Sequence, residues 1–169
     1  MKVQELMTKD VKTCGRGSNL AEVASILWDG DCGALPVVND ENKVVAMISD
    51  RDICFAVATK GRLASEVAVG EVTSGNPLYT CAPDDDIRDA LYTMQQQQVR
   101  RIPVVNSAGR IEGILSISDV VNAAHIEIRG INQGISNNEV ISTLQAICEP
   151  RHPAQNAAAA ASSGGAAQA

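Results

Sequence analysis

Two copies of a Ser-x-x-Asp pattern follow short apolar runs: Ser49 with Asp52, and Ser116 with Asp119. A serine at the start of a helix places its hydroxyl beside unpaired backbone N–H groups and a partial positive charge, which together suit a phosphate. The aspartate, one turn into the helix, can accept both vicinal hydroxyls of a ribose. The apolar run before each serine gives a flat base a surface to lie against. The pattern is therefore typical of a site for a nucleotide-like ligand.

The alternative is that both patterns are plain helix caps. A single Ser-x-x-Asp is more often an N-cap without a ligand, because serine caps are very common. Both aspartates are then only first-turn partners of the helix dipole. The pattern occurs twice, each time beside a Pro-Val-Val run at residues 36–38 and 103–105. This repetition favours the ligand-binding interpretation.

The two patterns belong to an internal repeat with one fixed offset. Residues 35–39 return as residues 102–106, 67 positions later. Residues 46–53 return as residues 113–120 at the same offset. A repeat of this length indicates one supersecondary unit used twice, with an interface between the copies.

Each copy is predicted to fold as strand, helix, strand, strand, helix, with first strands at residues 11–14 and 78–81. In the first copy, the apolar residues at helical spacing are Leu20, Val23, Ala24, Leu27 and Trp28. In the second copy they are Ile87, Ala90, Leu91 and Met94. Such stripes predict helices buried along one face. Turns at residues 39–42 and 106–109 then reverse the chain between two strands.

We predict an α/β (α+β) fold in four segments. These are a first repeat at 1–66, a second repeat at 67–126, a helical extension at 127–152 and a disordered tail at 153–169. The extension carries Val140, Leu144 and Ile147 at helical spacing. The tail holds no large apolar side chain, so it cannot bury enough surface to offset its ordering entropy.

Composition excludes several classes of protein. A net charge of −6 and a pI near 4.8 argue against a surface for nucleic acid or anionic membrane, which needs clustered Lys and Arg. The sequence shows no apolar run of membrane-spanning length and no signal peptide in residues 1–5. The 5 cysteines are odd in number and show no CxxC or metal spacing. We therefore expect a cytoplasmic protein with reduced thiols.

Catalytic and metal-binding constellations are not expected either. The 2 histidines, His125 and His152, are far apart and have no Cys or carboxylate companions at ligand spacing. They also form no Ser/His/Asp or Cys/His arrangement. Cys14 and Cys81 are equivalent through the repeat, and a small buried side chain is their expected role. The sequence therefore predicts neither an enzyme nor a resident metal or cofactor.

The apolar-Pro-Val-Val strand followed by Ser-x-x-Asp, twice, resembles the tandem CBS (cystathionine-β-synthase) domain, or Bateman module. The resemblance covers roughly residues 3–124. The second copy is a very good match. The first departs at Ala46, where glycine is usual, and at residues 32–34, which lack the basic pair Arg100 and Arg101. The resemblance implies two βαββα repeats packed around a pseudo-two-fold axis, with two clefts between them.

The resemblance also implies a regulatory module that senses adenosine-containing ligands such as AMP, ADP or ATP. Carried over, it implies ribose contacts from Asp52 and Asp119, polar donors at Ser49 and Ser116, and phosphate contacts from Arg100 and Arg101. It also implies base contacts from the backbone near Thr13-Cys14 and near Thr80-Cys81. Arg51 is a further phosphate candidate in the first copy only, since Ser118 takes its place in the second. This asymmetry predicts two unequal sites.

The implied assembly is a homodimer in which helices of both repeats meet their counterparts, since such tandems commonly pair into a flat disc. The helical stripes exceed what two small sheets need to cover. A regulated enzyme or transporter must be a separate chain, because the residues outside the repeats are too few for a catalytic domain. The alternative is a structural or interaction protein with degenerate clefts that acts through its dimer.

Overall fold

The computed structural model describes residues 1–127 and 135–149 of the chain. The predicted tail at 153–169 lies outside the described residues. The first repeat contains β1 (Cys14–Gly15), α1 (Leu20–Asp29), β2 (Ala34–Val38), β3 (Val44–Ser49) and α2 (Asp50–Lys60). The second contains α4 (Ile87–Gln97), β4 (Arg101–Val105), β5 (Ile111–Ser116) and α5 (Ile117–Glu127). The mixed α/β fold with two equivalent units is confirmed.

Four shorter or later elements complete the described chain. Short 3-10 turns occupy Val3–Glu5 and Ala64–Glu66, and the helix α3 occupies Val69–Thr73. The last helix is α6, Asn137–Cys148, which begins where the apolar spacing predicted it. Ser136 caps this helix by accepting a hydrogen bond from the Glu139 N–H. Within the described residues, no helix has the length and apolar character needed to cross a membrane.

The hairpins of the two repeats are built in the same register. The β2 strand pairs antiparallel with β3, and Ala34 lies opposite Ser49. The β4 strand pairs antiparallel with β5, and Arg101 lies opposite Ser116. Each hairpin also carries a register shift at the same place, between the two residues of its Val-Val pair, at 37/38 and 104/105. The offset of 67 seen in the sequence therefore holds for the backbone hydrogen bonding.

The first strand of each repeat is shorter than predicted. In the first repeat, β1 pairs parallel with β2 through Cys14 opposite Val37 and covers two residues. In the second repeat, the prediction of a strand at 78–81 is wrong. Of these residues, only Cys81 forms a β-bridge, with Val104. Pro83 follows two residues later and cannot donate a backbone N–H to a ladder, which limits pairing there.

The segment before each repeat packs against the other repeat. The N-terminal Val3 is fully buried in the core of the second repeat, and Thr8 exchanges two backbone hydrogen bonds of 2.9 Å with Ile114 of β5. Conversely, Val67 and Val69 belong to the core of the first repeat, where the Val67 carbonyl accepts the Leu20 N–H at 3.0 Å. The two repeats are therefore tied together by exchanged segments.

The hairpin turns add a second connection between the repeats. The Val44 N–H donates to the Gly109 carbonyl at 3.0 Å, and the Ile111 N–H donates to the Asn42 carbonyl at 3.4 Å. The two turns therefore meet directly, as related elements do around a pseudo-two-fold axis.

The apolar stripes are buried within the chain except at Ala24 and Trp28, which are exposed. Leu20, Val23 and Leu27 are at most 5% exposed, and the second-repeat stripe of Ile87, Ala90, Leu91 and Met94 is at most 3% exposed. Trp28 was predicted in the buried stripe but is 86% exposed. The buried stripe residues thus belong to the core of each repeat. They do not form an exposed apolar surface that a dimer would cover.

The helix α6 lies against the second repeat. It packs on α4 and α5, and its Val140 and Ile147 join the core of that repeat. Arg88 donates from Nε to the Glu139 carboxylate at 2.7 Å, which fixes the start of α6 on α4. The first repeat has no such covering helix among the described residues.

Candidate functional site

Both Ser-x-x-Asp patterns form the same closed pair of side chains at the start of α2 and α5. The Ser49 hydroxyl donates to Asp52 Oδ2 at 2.6 Å, and the Ser49 N–H donates to the same oxygen at 2.9 Å. The Ser116 hydroxyl and N–H donate to Asp119 Oδ2 at 2.6 and 2.8 Å. All four residues are half-buried. Each pair is a capping box in which serine and aspartate satisfy each other.

This geometry is the one that the helix-cap alternative predicts. It uses one oxygen of each carboxylate and leaves the other without a protein hydrogen bond among the described residues. Among the described residues, the hydrogen bonds to Asp52 and to Asp119 all end on Oδ2. The second oxygen, Oδ1, is the one that a ligand hydroxyl could reach. The ligand contacts assigned to Ser49, Asp52, Ser116 and Asp119 stay predictions.

The two helix N-termini differ in what already occupies them. In α2, the Asp50 carboxylate accepts the Arg51 N–H at 2.7 Å, so the helix carries its own anion at its first turn. In α5 the equivalent of Asp50 is Ile117, which has no carboxylate. An anion that approaches the start of α2 therefore meets the Asp50 carboxylate, which repels it. An anion that approaches the start of α5 meets no carboxylate at position 117.

Arg101 lies at the junction of the two repeats. Its backbone is in β4 opposite Ser116, so its Cα lies beside the Ser-x-x-Asp pattern of the second repeat. Its guanidinium reaches across to the first repeat. A Cβ on Gly33 would lie 3.2 Å from Arg101 Nη2 and 3.3 Å from Asp50 Oδ2. A side chain at position 33 would displace this arginine or Asp50, so glycine leaves the room that the crossing needs.

The other two arginines of the predicted site have different settings. Arg100 is exposed, and its carbonyl accepts the Ile117 N–H at 2.9 Å, which holds the start of α5 beside β4. Arg51 is also exposed, and its guanidinium carbon lies 5.3 Å from the centroid of the Phe55 ring. That distance is within cation–π range, so Arg51 is directed along its own helix.

Thr80 lies in an open cleft away from these groups. The cleft has a volume of about 670 Å³, and Thr80 shares it with the carboxylates of Asp84, Asp85 and Glu112. No Lys or Arg is among the residues that line it. In the sheet, Cys81 borders one side of β4 and Ser116 of β5 lies on the other. The structure therefore brings Arg101 and Ser116 together but separates Thr80 from both.

The buried thiols carry no chemistry at this site. Burial raises the pKa of the Cys14 thiol to about 11 and that of Cys81 to about 12, with Asp85 adding to the effect at Cys81. Both thiols are thus protonated near neutral pH, and a protonated thiol is a poor nucleophile. In the described ranges, no group of three or more His, Cys, Asp or Glu side chains could hold a metal ion.

Two contributors to the site were missed from the sequence. Gly33 and Asp50 surround the Arg101 guanidinium, although both belong to the first repeat. The repeat alignment contained the signal for Asp50, because it pairs an acidic residue with Ile117 at a helix start. The approach of Gly33 had no sequence signal, since it depends on how the repeats face each other.

Comparison with known proteins identifies the repeated unit. The CBS domain family model matches residues 3–59 and 69–126. The CBS domain-containing protein YhcV of Bacillus subtilis is 33% identical over 122 residues, which cover 70% of this chain and 81% of that protein. Hypoxic response protein 1 of Mycobacterium tuberculosis is 28% identical over 147 residues, covering 87% of this chain and 94% of that protein.

Solved structures share the same fold. Hypoxic Response Protein I, crystallised with two coordinated zinc ions, is 27% identical with a TM-score of 0.66, covering 72% of this chain and 98% of that one. The CBS domain protein PAE2072 from Pyrobaculum aerophilum, complexed with AMP, is 25% identical with a TM-score of 0.67, covering 76% and 97%. The arrangement of two repeats in one unit is therefore shared with both.

Proposed function

Since the chain belongs to the CBS domain family, we propose that it is a regulatory module that binds an adenosine-containing ligand such as AMP, ADP or ATP. The ligand acts as a regulator and not as a cofactor, and the module has no catalysis of its own. The observation that carries this proposal is the start of α5, where the Ser116–Asp119 pair caps a helix without a carboxylate at position 117 and the Arg101 backbone lies opposite Ser116 in the sheet.

Asp119 is the proposed ribose ligand. Its Oδ2 is held by the Ser116 hydroxyl and N–H at 2.6 and 2.8 Å, which fixes the carboxylate in one orientation. Because the side chain is already ordered, a ribose hydroxyl can bond to Oδ1 without a further loss of side-chain conformational entropy. Hydrogen bonds to a charged acceptor of this kind contribute roughly 1.5–3 kcal/mol each.

The phosphate is proposed to bind at the N-terminus of α5, with Arg101 and the neighbouring Arg100 as its basic contacts. The helix supplies N–H groups and a partial positive charge, and the guanidinium supplies a planar donor fork. Asp50 lies beside the same guanidinium, as the shared approach to Gly33 shows.

Binding at the first repeat is proposed to be weaker. Ala34 occupies the register position of Arg101 there, and the Asp50 carboxylate already lies in the first turn of α2. Asp52 and Ser49 keep the ribose-binding geometry, while Arg51 is the one basic side chain that the first-copy pattern offers for phosphate. This repeat suits an uncharged nucleoside better than a nucleotide.

Thr80 is proposed to contact the base through its backbone. Its cleft carries three carboxylates, so it repels phosphate and favours a group that donates hydrogen bonds. The amino group of adenine is such a donor. The PAE2072 protein in complex with AMP, 25% identical to this chain, supports adenine nucleotides as the ligand class.

We also propose a homodimer in the cytoplasm that transmits ligand binding to a separate enzyme or transporter. The described cysteines are all free thiols, which fits a reducing compartment. Nucleic acid and membranes are not proposed as partners, given the net charge of −6. The second candidate function is a structural or interaction protein with degenerate clefts, favoured by the closed Ser49–Asp52 and Ser116–Asp119 pairs.

Titration calorimetry with AMP and with adenosine tests the proposal. Asp119→Ala should weaken both ligands by about 10- to 100-fold, because both carry the ribose. Arg101→Ala should weaken AMP by a similar factor and leave adenosine nearly unchanged, because it meets only the phosphate. Asp52→Ala, the matched change in the first repeat, should have a smaller effect on AMP.

Two results would contradict this function. If the wild-type chain binds neither AMP, ADP, ATP nor adenosine at millimolar concentration, the structural alternative replaces it. If Arg101→Ala weakens AMP and adenosine equally, the arginine maintains the fold and does not contact phosphate.

A further inference from the structure

Two oppositely charged side chains from different repeats face the space that Gly33 leaves empty. A Cβ at this glycine would lie 3.2 and 3.5 Å from the two terminal nitrogens of Arg101, and 3.3 Å from Asp50 Oδ2. Among the described residues, no ion pair joins Arg101 to Asp50. The guanidinium and the carboxylate are therefore neighbours at the junction of the repeats without being bonded to each other.

The position of the Asp50 carboxylate is fixed by its local hydrogen bonds. The Asp50 backbone N–H donates to the Gly33 carbonyl at 3.3 Å, and Asp50 Oδ1 accepts the Arg51 N–H at 2.7 Å. These two bonds leave Oδ2 as the oxygen that faces the space beside Gly33 and Arg101. A negative charge is thus held at a defined place next to the guanidinium.

The equivalent positions show that the acidic residue comes from the first repeat only. At the offset of 67, Asp50 corresponds to Ile117 and Gly33 corresponds to Arg100. The second repeat thus contributes two adjacent arginines, at 100 and 101, and no carboxylate at the first position of its helix. The first repeat contributes that carboxylate and has no arginine at 33 or 34. The junction is therefore basic on the second-repeat side and acidic on the first-repeat side.

We propose that Asp50 makes the second-repeat site select nucleoside monophosphates over di- and triphosphates. This inference rests on the proposed function, in which a phosphate binds between the start of α5 and Arg101. The first phosphate fits there, because the helix start and the guanidinium both favour a negative charge. A second or third phosphate extends past Arg101 toward the first repeat, where the Asp50 carboxylate repels it.

The selection is electrostatic, and its size follows from the exposure of Asp50. This residue is exposed, so solvent weakens the repulsion between its carboxylate and the added phosphates. We therefore expect AMP to bind about 3- to 10-fold more tightly than ATP at low salt. Because dissolved ions screen charges at an exposed site, the preference should shrink as the salt concentration rises. A selection by the size of the ligand alone would not depend on salt in this way.

Titration calorimetry with AMP and ATP measures the preference, with adenosine as the reference ligand that carries no phosphate. The buffer contains EDTA, because a divalent cation would neutralise the phosphates and bridge them to a carboxylate. Asp50→Asn removes the charge, and its amide oxygen can still accept the Arg51 N–H. Relative to adenosine, this variant should strengthen ATP binding more than AMP binding, so that the two affinities become nearly equal.

Two matched variants separate the position of the charge from its presence. Asp31→Asn removes another exposed carboxylate that lines the same open groove between α1 and α2 as Asp50. The atoms nearest to the Gly33 space belong to Arg101 and Asp50, so Asp31→Asn should keep the preference for AMP. Asp50→Glu keeps the charge at the start of α2, and it should keep the preference as well.

Loss of the AMP preference in Asp50→Asn, with retention in Asp31→Asn and Asp50→Glu, supports the inference. If the wild-type chain binds ATP as tightly as AMP, or if Asp50→Asn keeps the preference, Asp50 does not select the ligand, and the proposed function still stands. A preference that does not change with salt contradicts its electrostatic origin. If the wild-type chain binds neither adenosine, AMP nor ATP, the proposed function fails and the selection by Asp50 fails with it.

Discussion

The two repeats share one backbone plan but differ at the three places where a partner or ligand would bind. At the helix start, Asp50 of the first repeat is replaced by Ile117 in the second. At the register position opposite the serine, Ala34 is replaced by Arg101. On the outer helical face, Trp28 is exposed whereas Gln95 is bonded to α6. The two repeats thus share their core pattern and differ in these surface residues.

These differences support the proposal that the adenosine-containing ligand binds at the second repeat. The second repeat has no carboxylate at position 117, the first residue of α5, and its outer face is covered by α6. The first repeat carries its own anion at the equivalent place and leaves an apolar face open. Each of the following predictions changes one member of an equivalent pair, so that the two repeats serve as controls for each other.

The largest effect is expected in the core, where the repeats should behave alike. Leu35→Ala and Ile102→Ala remove equivalent buried side chains, at 1% and 0% exposure. Each should lower the free energy of unfolding by about 2–5 kcal/mol, from lost burial and the cavity left behind. Urea denaturation measures both. A loss confined to one variant would show that the repeats are not equivalent in stability.

A moderate effect is expected where an exchanged segment crosses β5. A Cβ on Gly113 would lie 2.6 Å from Met7 Sδ and 3.0 Å from the Thr8 carbonyl oxygen. Gly113→Ala should therefore destabilise the fold by about 1–3 kcal/mol, as overpacking does. The equivalent Ala46 already carries a Cβ, and Ala46→Gly is the matched variant. An unaffected unfolding midpoint in Gly113→Ala would mean that residues 1–8 do not hold this position in solution.

A smaller effect is expected from the serine caps. Ser49→Ala and Ser116→Ala each remove a hydroxyl that bonds the aspartate and the helix N–H. Each should cost about 0.5–2 kcal/mol of stability, as measured by thermal or urea unfolding. Ser116→Ala should in addition loosen Asp119 and weaken AMP. Equal effects of the two variants on AMP affinity would remove the distinction between the repeats.

The smallest effect concerns α6 and pH. Hydrogen bonds from Ser136 and Arg88 lower the pKa of the Glu139 carboxyl from 4.5 to about 2. A lowered pKa stabilises the folded state above the ordinary value, and this stabilisation is lost as pH falls from about 4.5 through about 2. Hydrogen exchange of α6 amides should therefore accelerate across that range in the wild-type chain. Glu139→Gln should show no such step of its own, and a step of the same size in the variant would assign it to other carboxyls.

Sequence reasoning located the parts that depend on local pattern. The helices at Leu20, Ile87 and Ser136, and the hairpins that carry Pro36 and Pro103, follow from apolar spacing, caps and turns, all of which act between near neighbours. The strand predicted at 78–81 is wrong because pairing depends on a partner strand, and the segment makes one bridge only. Trp28 is wrongly placed in the core because helical spacing does not tell how wide the buried stripe is.

The relations between the repeats could not be predicted in the same way. Val3 and Val69 stand in similar motifs, but equal spacing does not reveal that each packs in the other repeat. The approach of Arg101 to Gly33 also depends on this packing. The bond between Ser49 and Asp52 was not predicted from the sequence, and the ligand contacts predicted for these two residues stay predictions.

The stoichiometry of AMP binding tests the division between the repeats most directly. Calorimetry on the wild-type chain should give one AMP per chain, with binding lost or greatly weakened in Asp119→Ala and largely retained in Asp52→Ala. Two equal sites per chain would contradict the assignment. So would loss of binding in Asp52→Ala together with retention in Asp119→Ala, since that result would place the nucleotide in the first repeat.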